Sequence, residues 1–277
     1  MNDALTAQLL RDELSRRPEL RETLELYRAL LAARAAAAAP AVPALAAEAA
    51  RDRLARGEPL LDAAAFAADW RALAQTLAAV CAAAAEHRPG EAEALRALAG
   101  LADDEEELRA AVADHLARTV HPARRPAGAA SAAATLLDFV LNHALHPALA
   151  AYADAWLPLV SDETWYRSYC PICGGAADFA ALLAGGGTRR LLCARCDAEW
   201  TAPRGVCPFC GESAPGRLGY FPAGPDGIYR LYTCETCRRY LKTIDLRELA
   251  RPIHLPVERV LTVGMDLAAQ GAGYRSG

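Results

Sequence analysis

Eight of the nine cysteines form four Cys-x2-Cys pairs, all in the second half of the chain, with gaps of 19, 10 and 23 residues between successive pairs. Two thiolates at this spacing can reach one metal ion, and two such turns complete a closed tetrahedral site with bonds of about 2.3 Å. The long gaps suit two sequential ribbons, so the spacing predicts two four-cysteine sites. The predicted sets are Cys170, Cys173, Cys193 and Cys196, and Cys207, Cys210, Cys234 and Cys237. A crossed arrangement, in which the two middle pairs share a metal, stays open.

Two of the four pairs carry the local sequence of a rubredoxin-like knuckle. The segments 170–174 and 207–211 both read Cys-Pro-x-Cys-Gly. Proline fixes φ in the first half of such a turn, and glycine permits the positive φ that directs backbone N–H groups at sulfur. The pairs that begin at Cys193 and Cys234 lack this signature. We expect them to supply the partner half of each site.

Three chemical roles compete for these cysteines: structural metal ligands, a dithiol redox couple and structural disulfides. The start of the chain, Met1 to Ala4, has no basic region followed by an apolar one, so we expect no secretory signal and a cytoplasmic protein. In a reducing compartment, the metal role is the strongest of the three. Tetrahedral sulfur ligation fits iron and zinc equally, so the pattern predicts two metal ions per chain without choosing between them.

The net charge argues against binding of nucleic acid or membrane along the whole chain. The net charge is −4, made up of −7 over residues 1–162 and +3 over residues 163–277. A tetrathiolate site with a divalent ion carries −2, so two loaded sites bring the second half close to neutral. Five basic residues lie near the cysteine pairs and could offset the thiolate charge; they are Arg195, Arg204, Arg238, Arg239 and Lys242. The alanine-rich stretch 29–50 is broken by charges and prolines, so no membrane insertion is expected.

The first half of the chain predicts a helical domain, because long Ala/Leu/Glu/Arg stretches are separated by prolines. The predicted helices cover residues 3–16, 18–35, 43–56, 61–87, 90–100, 103–119 and 131–157. The second half is richer in glycine and has short strand-like runs such as 227–233, followed by a closing helix that begins near Pro256. Such small lobes bury too little apolar surface to be stable without a staple. The predicted class is therefore α+β and multidomain: a helical N-terminal domain, two small rubredoxin-like or zinc-ribbon modules and a C-terminal helix. The predicted domains are 1–162, 163–205 and 206–277.

Other candidate residues have simpler structural interpretations. Cys81 lies in an alanine-rich helical segment and is expected to be buried. His143 and His146 could bind a metal with Asp138 and Asp154, although a cap or core contact before Pro147 is the simpler explanation. The glycine run 185–187 lacks the Lys-Ser/Thr of a phosphate loop, so a hairpin tip is expected.

Aromatic residues interleaved with arginines concentrate in the second half: Trp165, Tyr166, Tyr169, Trp200, Tyr220, Phe221, Tyr229, Tyr232 and Tyr240. Such surfaces occur in zinc ribbons that bind nucleic acid, which keeps that function open as an alternative. Packing beside the knuckles explains most of them, and the remainder could form a docking face. No arrangement of nucleophile, base and oxyanion donors is visible, so we expect a non-enzymatic protein.

The cysteine segments resemble the FdhE family of formate dehydrogenase accessory proteins. The likeness is carried by segments 169–174, 192–200, 204–211 and 233–245, and by the closing segment 258–274. It is specific over about residues 165–275 and only compositional before them. One departure is Asp197, which stands where glycine is usual after a cysteine pair. We expect it to alter that turn but not the ligand set.

The resemblance implies a helical N-terminal domain followed by two rubredoxin-like modules. It also implies a cytoplasmic protein that is required for active respiratory formate dehydrogenase, acts on the catalytic subunit before export and can bind iron. Only the eight cysteines are carried over as functional residues. A nucleic-acid-binding zinc ribbon, or a thiol or iron redox factor that acts on a metalloenzyme, remain the alternatives.

Overall fold

A computed structural model describes residues 3–35, 37, 40–117, 132–224, 227–247, 249 and 252–276. Seven α-helices precede the strands in these ranges: α1 (Asp3–Arg16), α2 (Arg21–Ala35), α3 (Ala47–Ala55), α4 (Trp70–His87), α5 (Ala92–Ala99), α6 (Glu105–Ala117) and α7 (Ala132–Trp156). Two more follow the strands: α8 (Leu255–Leu261) and α9 (Val263–Gly271). None of the helices in the described ranges has the length and apolarity needed to cross a membrane.

The helical pattern of the first half is confirmed, although two helices begin later than predicted: the helix predicted from residue 43 begins at Ala47, and the next differs more. The helix predicted over 61–87 begins only at Trp70. Asp69 caps it, because its Oδ1 accepts a hydrogen bond of 3.0 Å from the backbone N–H of Ala72. A separate short 3-10 turn, Ala63–Ala65, precedes the cap. The polar cap residue therefore fixes the start of α4 at Trp70, where composition alone suggested one continuous helix from residue 61.

The chain divides into two compact units. The first contains the described residues of 1–44, 61–119 and 126–155, which include all of the early helices except α3. Its core is formed by leucines on the inner faces of the helices, such as the fully buried Leu24 and Leu30 of α2 and Leu77 of α4. Apolar positions at helical spacing bring these side chains to one face.

The second unit contains the described residues of 45–60 and 156–277, and it is built on one six-stranded sheet. The strands are β1 (Ala177–Leu182), β2 (Arg189–Cys193), β3 (Glu199–Ala202), β4 (Leu218–Ala223), β5 (Tyr229–Cys234) and β6 (Arg239–Asp245). Their order is β3-β2-β1-β6-β5-β4. Strands β1 to β3 and β4 to β6 each form an antiparallel meander, and parallel pairing of β1 with β6 joins the two meanders.

The predicted class is confirmed: helices come first, cysteine ribbons follow and a helix closes the chain. The two predicted modules share a continuous sheet, whose core includes Phe179 of β1 and Ile244 of β6 together with Leu255 of α8. The predicted strand near 227–233 corresponds to β5. The predicted domain boundaries at 162 and 205 stay predictions.

Candidate metal centres

The first cysteine group is fully enclosed by protein. The sulfurs of Cys170 and Cys196 lie 3.6 Å apart, those of Cys173 and Cys193 lie 3.5 Å apart, and those of Cys173 and Cys196 lie 3.6 Å apart. All four residues are buried. Because β2 ends at Cys193 and pairs with Ala177 at the start of β1, the ladder brings the two knuckles face to face. This group is called site one.

The second group has the same arrangement at the other meander and is called site two. The sulfurs of Cys207 and Cys237 lie 3.7 Å apart, as do those of Cys210 and Cys234. Strand β5 ends at Cys234, and the turn 235–238 leads directly into β6. Cys207 and Cys234 are buried, whereas Cys210 and Cys237 are only partly buried.

Both groups fit a tetrahedral metal ion. Ligand atoms at the corners of a tetrahedron with bonds of about 2.3 Å are separated by about 3.8 Å. The shortest sulfur separations are 3.5 Å to 3.7 Å, and all four sulfurs of each group lie within 4.8 Å of one another. The structure therefore brings together the two sets that the spacing predicts, and each could hold one ion. Whether that ion is iron or zinc is not decided by four thiolates.

The four knuckles share one backbone conformation. The residue after the second cysteine has a positive φ in every case: 70° at Gly174, 54° at Asp197, 78° at Gly211 and 53° at Arg238. Backbone N–H groups inside three of the turns point at the first sulfur, from Ile172 at 3.4 Å, Arg195 at 3.4 Å and Phe209 at 3.5 Å. These donors favour thiolate over thiol.

The prediction that Asp197 alters its turn was wrong in this respect, because Asp197 adopts the left-handed conformation of the glycines. Aspartate tolerates that conformation better than most residues. The side chain is also held in place, since Arg259 Nη2 of α8 donates a 2.8 Å hydrogen bond to its Oδ1. Arg238 reaches the same conformation and ion-pairs with Glu235 at 2.5 Å.

Within each group, the pKa of some thiols is raised and that of another is lowered. Burial raises the pKa of Cys170 and Cys196, whereas a hydrogen bond from Cys170 is the main cause that lowers the pKa of Cys173. At site two, a hydrogen bond from Cys207 lowers the pKa of Cys237 to about 5, and burial raises the pKa of Cys210 to about 11. Burial and hydrogen bonds from neighbouring cysteines thus shift the pKa values within each group in opposite directions.

The other predicted candidates belong to neither of these centres. In the described part of the chain, only the two cysteine groups bring three or more potential ligands together. Cys81 is buried in α4, and burial raises the pKa of its thiol to about 11. His143 packs edge-on against Phe139, with ring centroids 4.7 Å apart. His146 is also buried.

Two of the basic residues predicted to offset the thiolates have different surroundings. Arg239 lies close enough to Cys237 and Cys207 for their charges to interact. Lys242 instead donates to Asp266 Oδ2 at 2.6 Å and to the carbonyl of Arg259 at 2.8 Å. Of the aromatic residues, Trp165, Tyr169, Trp200, Tyr229 and Tyr240 are buried, whereas Tyr166, Tyr220 and Phe221 are exposed.

Sequence reasoning missed a set of polar contacts that join helices α8 and α9 to the sheet unit. Arg259 Nη1 lies 3.3 Å from Asp178 Oδ1 of β1, and its Nη2 binds Asp197. Tyr240 donates to Asp266 Oδ1 at 2.7 Å, and Tyr229 donates to Glu258 Oε2 at 2.6 Å. The sequence offered one signal for these contacts, which was the presence of charged residues among the apolar residues of segment 255–271.

Curated relatives match this chain over part of its length. The chain is 33% identical over 144 residues to the protein FdhE homolog of Aquifex aeolicus, covering 50% of this chain and 49% of that protein. It is 35% identical over 85 residues to the homolog of Haemophilus ducreyi, covering 30% and 27% of the two chains. The homolog of Pasteurella multocida is 28% identical over 112 residues, covering 39% and 35%. The chain thus matches about half or less of the length of these relatives.

A solved structure matches the whole fold. The crystal structure of the FdhE protein from Pseudomonas aeruginosa superposes with a TM-score of 0.61 at 24% identity, over 100% of this chain and 93% of that one. No protein-family model matches the chain. The resemblance to the FdhE family that the cysteine segments predicted is therefore confirmed by sequence relatives, and the fold by a structure.

Proposed function

We propose, for a chain related to the FdhE proteins, a non-enzymatic role in the maturation of a respiratory formate dehydrogenase. The observation that carries the proposal is the pairing of that relationship with two four-cysteine groups on one sheet. The accessory role itself comes from the family resemblance of the cysteine segments. In this role the chain holds a client protein and performs no reaction on a small substrate.

The chemistry of the two groups supports this role. Four protein thiolates complete a tetrahedral ion and leave no coordination position for water or substrate. An ion held in this way stabilises the ribbon around it and does not act as a Lewis acid unless a ligand leaves. The knuckles thus become rigid, shaped surfaces suited to holding another protein.

The client in this proposal is the catalytic subunit of the formate dehydrogenase, bound in the cytoplasm before export. The eight paired cysteines form no disulfides in the structure, which suits a reducing compartment. An exposed aromatic pair on the edge strand β4, Tyr220 and Phe221, offers an anchor of the kind enriched at protein interfaces.

Co-purification tests the proposal directly. The tagged full chain is expected to retain the catalytic subunit, and loss of the gene is expected to abolish formate dehydrogenase activity in cells. The variant Phe221→Ser should retain less of the subunit at unchanged thermal stability. The matched control is Leu5→Ser, another exposed apolar residue, located in the helical unit. No retention by the unmodified chain, together with full enzyme activity in its absence, would show that the proposal is wrong.

A further inference from the structure

The two cysteine groups differ in what surrounds their sulfurs. At site one, all four cysteines are buried. At site two, Cys210 and Cys237 are partly exposed. Ligand geometry is nearly the same in the two groups, with sulfur separations of 3.5–3.6 Å and 3.7 Å. The difference therefore lies in access and not in the donor set.

Several layers of protein close over site one. Segment 45–60 lies against its first knuckle, where the backbone N–H of Leu60 donates to the carbonyl of Pro171 at 2.8 Å. The hydroxyl of Tyr169 donates to the carbonyl of Gly57 at 2.6 Å. Fully buried Trp165 packs edge-on against Tyr169, with centroids 5.0 Å apart. A ligand can reach these sulfurs only if this part of the unit opens.

The inner side of site one is equally filled. A Cβ added at Gly175 would lie 3.2 Å from the sulfur of Cys193 and 3.3 Å from that of Cys173, so even a methyl group would crowd this side. Arg259 lies within 3.4 Å of the carbonyl of Cys193 and holds α8 on the second knuckle. Site one is thus sealed by three separate parts of the chain.

Site two has open space on both sides. Its outer side presents Cys210 and Cys237, next to the solvent-exposed residue Glu235. Its inner side borders a small pocket with a cavity volume of about 30 Å³ that is partly open to solvent. Cys207 and Cys234 line this pocket together with Tyr232. Each of the four cysteines therefore borders either the pocket or the surface.

The pocket also carries positive charge. Arg189 is 5% exposed, and its Nη1 donates to the backbone carbonyls of Pro203 and Val206. Its buried Nε has no hydrogen-bond partner in the described part of the chain. Arg239 also lines the pocket, and its guanidinium lies 5.7 Å from the ring centroid of Phe209. A small anionic ligand that enters the pocket would meet two guanidinium groups.

We propose that the two centres have different roles: site one is a permanent structural site, and site two is an exchange site where an incoming thiolate can take the metal. The inference stands on the surroundings of the two groups and does not depend on the formate dehydrogenase role. It identifies Cys210 and Cys237 as the ligands that leave, because they are the partly exposed pair.

The exchange step conserves atoms and oxidation state. The sulfur of the incoming thiol forms a bond to the metal ion while the bond from the sulfur of Cys237 or Cys210 breaks. The proton lost by the incoming thiol is taken up by the departing cysteine thiolate. No oxidant or reductant is needed, since the metal keeps its charge throughout.

The test measures metal release from the full chain loaded with two zinc ions. A colorimetric chelator, 4-(2-pyridylazo)resorcinol, reports released zinc, and glutathione serves as the incoming thiol. One ion per chain should leave at least about tenfold faster than the other, since release from site one requires local unfolding. Glutathione should accelerate the fast phase alone. Release of both ions in one phase, or a fast phase insensitive to glutathione, would overturn the proposal.

Thiol labelling identifies which site releases first. After the fast phase, brief alkylation followed by peptide mass spectrometry should find label on Cys207, Cys210, Cys234 and Cys237, and not on the four cysteines of site one. The variant Cys210→Ser should lose the fast phase and keep the slow one. Its matched counterpart, Cys173→Ser, should keep the fast phase, but labelling of the unmodified chain decides the question even if that variant does not fold. Label on Cys170 or Cys193 first would contradict the assignment.

Discussion

Arg259 Nη2 of helix α8 donates a 2.8 Å hydrogen bond to Asp197 Oδ1, the residue that follows the second cysteine pair of site one. The same guanidinium lies 3.3 Å from Asp178 Oδ1 on strand β1. One arginine thus joins the closing helix, the first strand of the sheet and a metal knuckle. Because Asp197 is buried, its carboxylate depends on this partner for compensation of its charge.

Replacing this arginine is expected to be strongly destabilising. Arg259→Met removes the guanidinium that pairs with the carboxylates of Asp178 and Asp197, and breaking such a buried pair costs about 3 kcal/mol or more. Urea unfolding, followed by circular dichroism on metal-loaded protein, measures the loss. The control is Arg56→Met, which removes the exposed pair with Glu58 and should leave stability almost unchanged. Equal effects of the two changes would show that the buried pair has no special role.

The knuckle turns depend on the left-handed conformation. Gly211 has φ of 78°, and a Cβ added there meets nothing within 4 Å, so Gly211→Ala introduces backbone strain without a clash. We expect a loss of about 1–2 kcal/mol. The matched change is Gly264→Ala in α9, where a Cβ also meets nothing and the helix should gain about 0.5–1 kcal/mol. Thermal unfolding of both variants checks the opposite signs.

Removing the metal should unfold one unit and spare the other. The sheet unit contains all eight paired cysteines, whereas the helical unit contains only Cys81. Metal binding free energy contributes directly to folding in small thiolate lobes. Chelation should therefore abolish protection from hydrogen exchange in strands β1 to β6 while helices α2 and α4 stay protected. Equal loss in both units would mean that they fold as one.

Asp245 at the end of β6 should contribute a pH-dependent stabilisation. A hydrogen bond from the Arg247 side chain is the main cause that lowers its pKa to about 2, and Arg230 adds an ion pair at 2.5 Å. Because the folded pKa is below the unfolded value, the contribution is fully present above about pH 4 and disappears as pH falls through about 2.

The comparison of unmodified protein with Asp245→Asn isolates this effect. The stability difference, on the order of 1 kcal/mol after solvent screening, should be constant between about pH 5 and 8. It should shrink between about pH 4 and 2. Measuring both proteins at each pH removes the effect of acid on the metal sites, since that effect is common to them. A difference that persists unchanged at the lowest pH would exclude an electrostatic origin.

Local sequence predicted the centres well and the sheet poorly. The two-residue spacing within each pair and the glycines after Cys173 and Cys210 are short-range features, so the four turns could be predicted from the residues alone. The predicted grouping agrees with the two sets of cysteines that the structure brings together. The start of α4 at Trp70 was missed, because a single capping aspartate outweighed an alanine-rich pattern.

The sequence by itself determined the four cysteine turns, because the two cysteines of each turn are separated by only two residues. The structure decided which two turns come together in each group. The tertiary structure decided that β1 and β6 pair in parallel and make one sheet, that segment 45–60 covers site one, and that Arg259 holds Asp197 in a left-handed turn. It also decided that one group is enclosed while the other borders solvent. These features depend on contacts between residues far apart in the chain, and such contacts leave no periodic or local signal in the sequence.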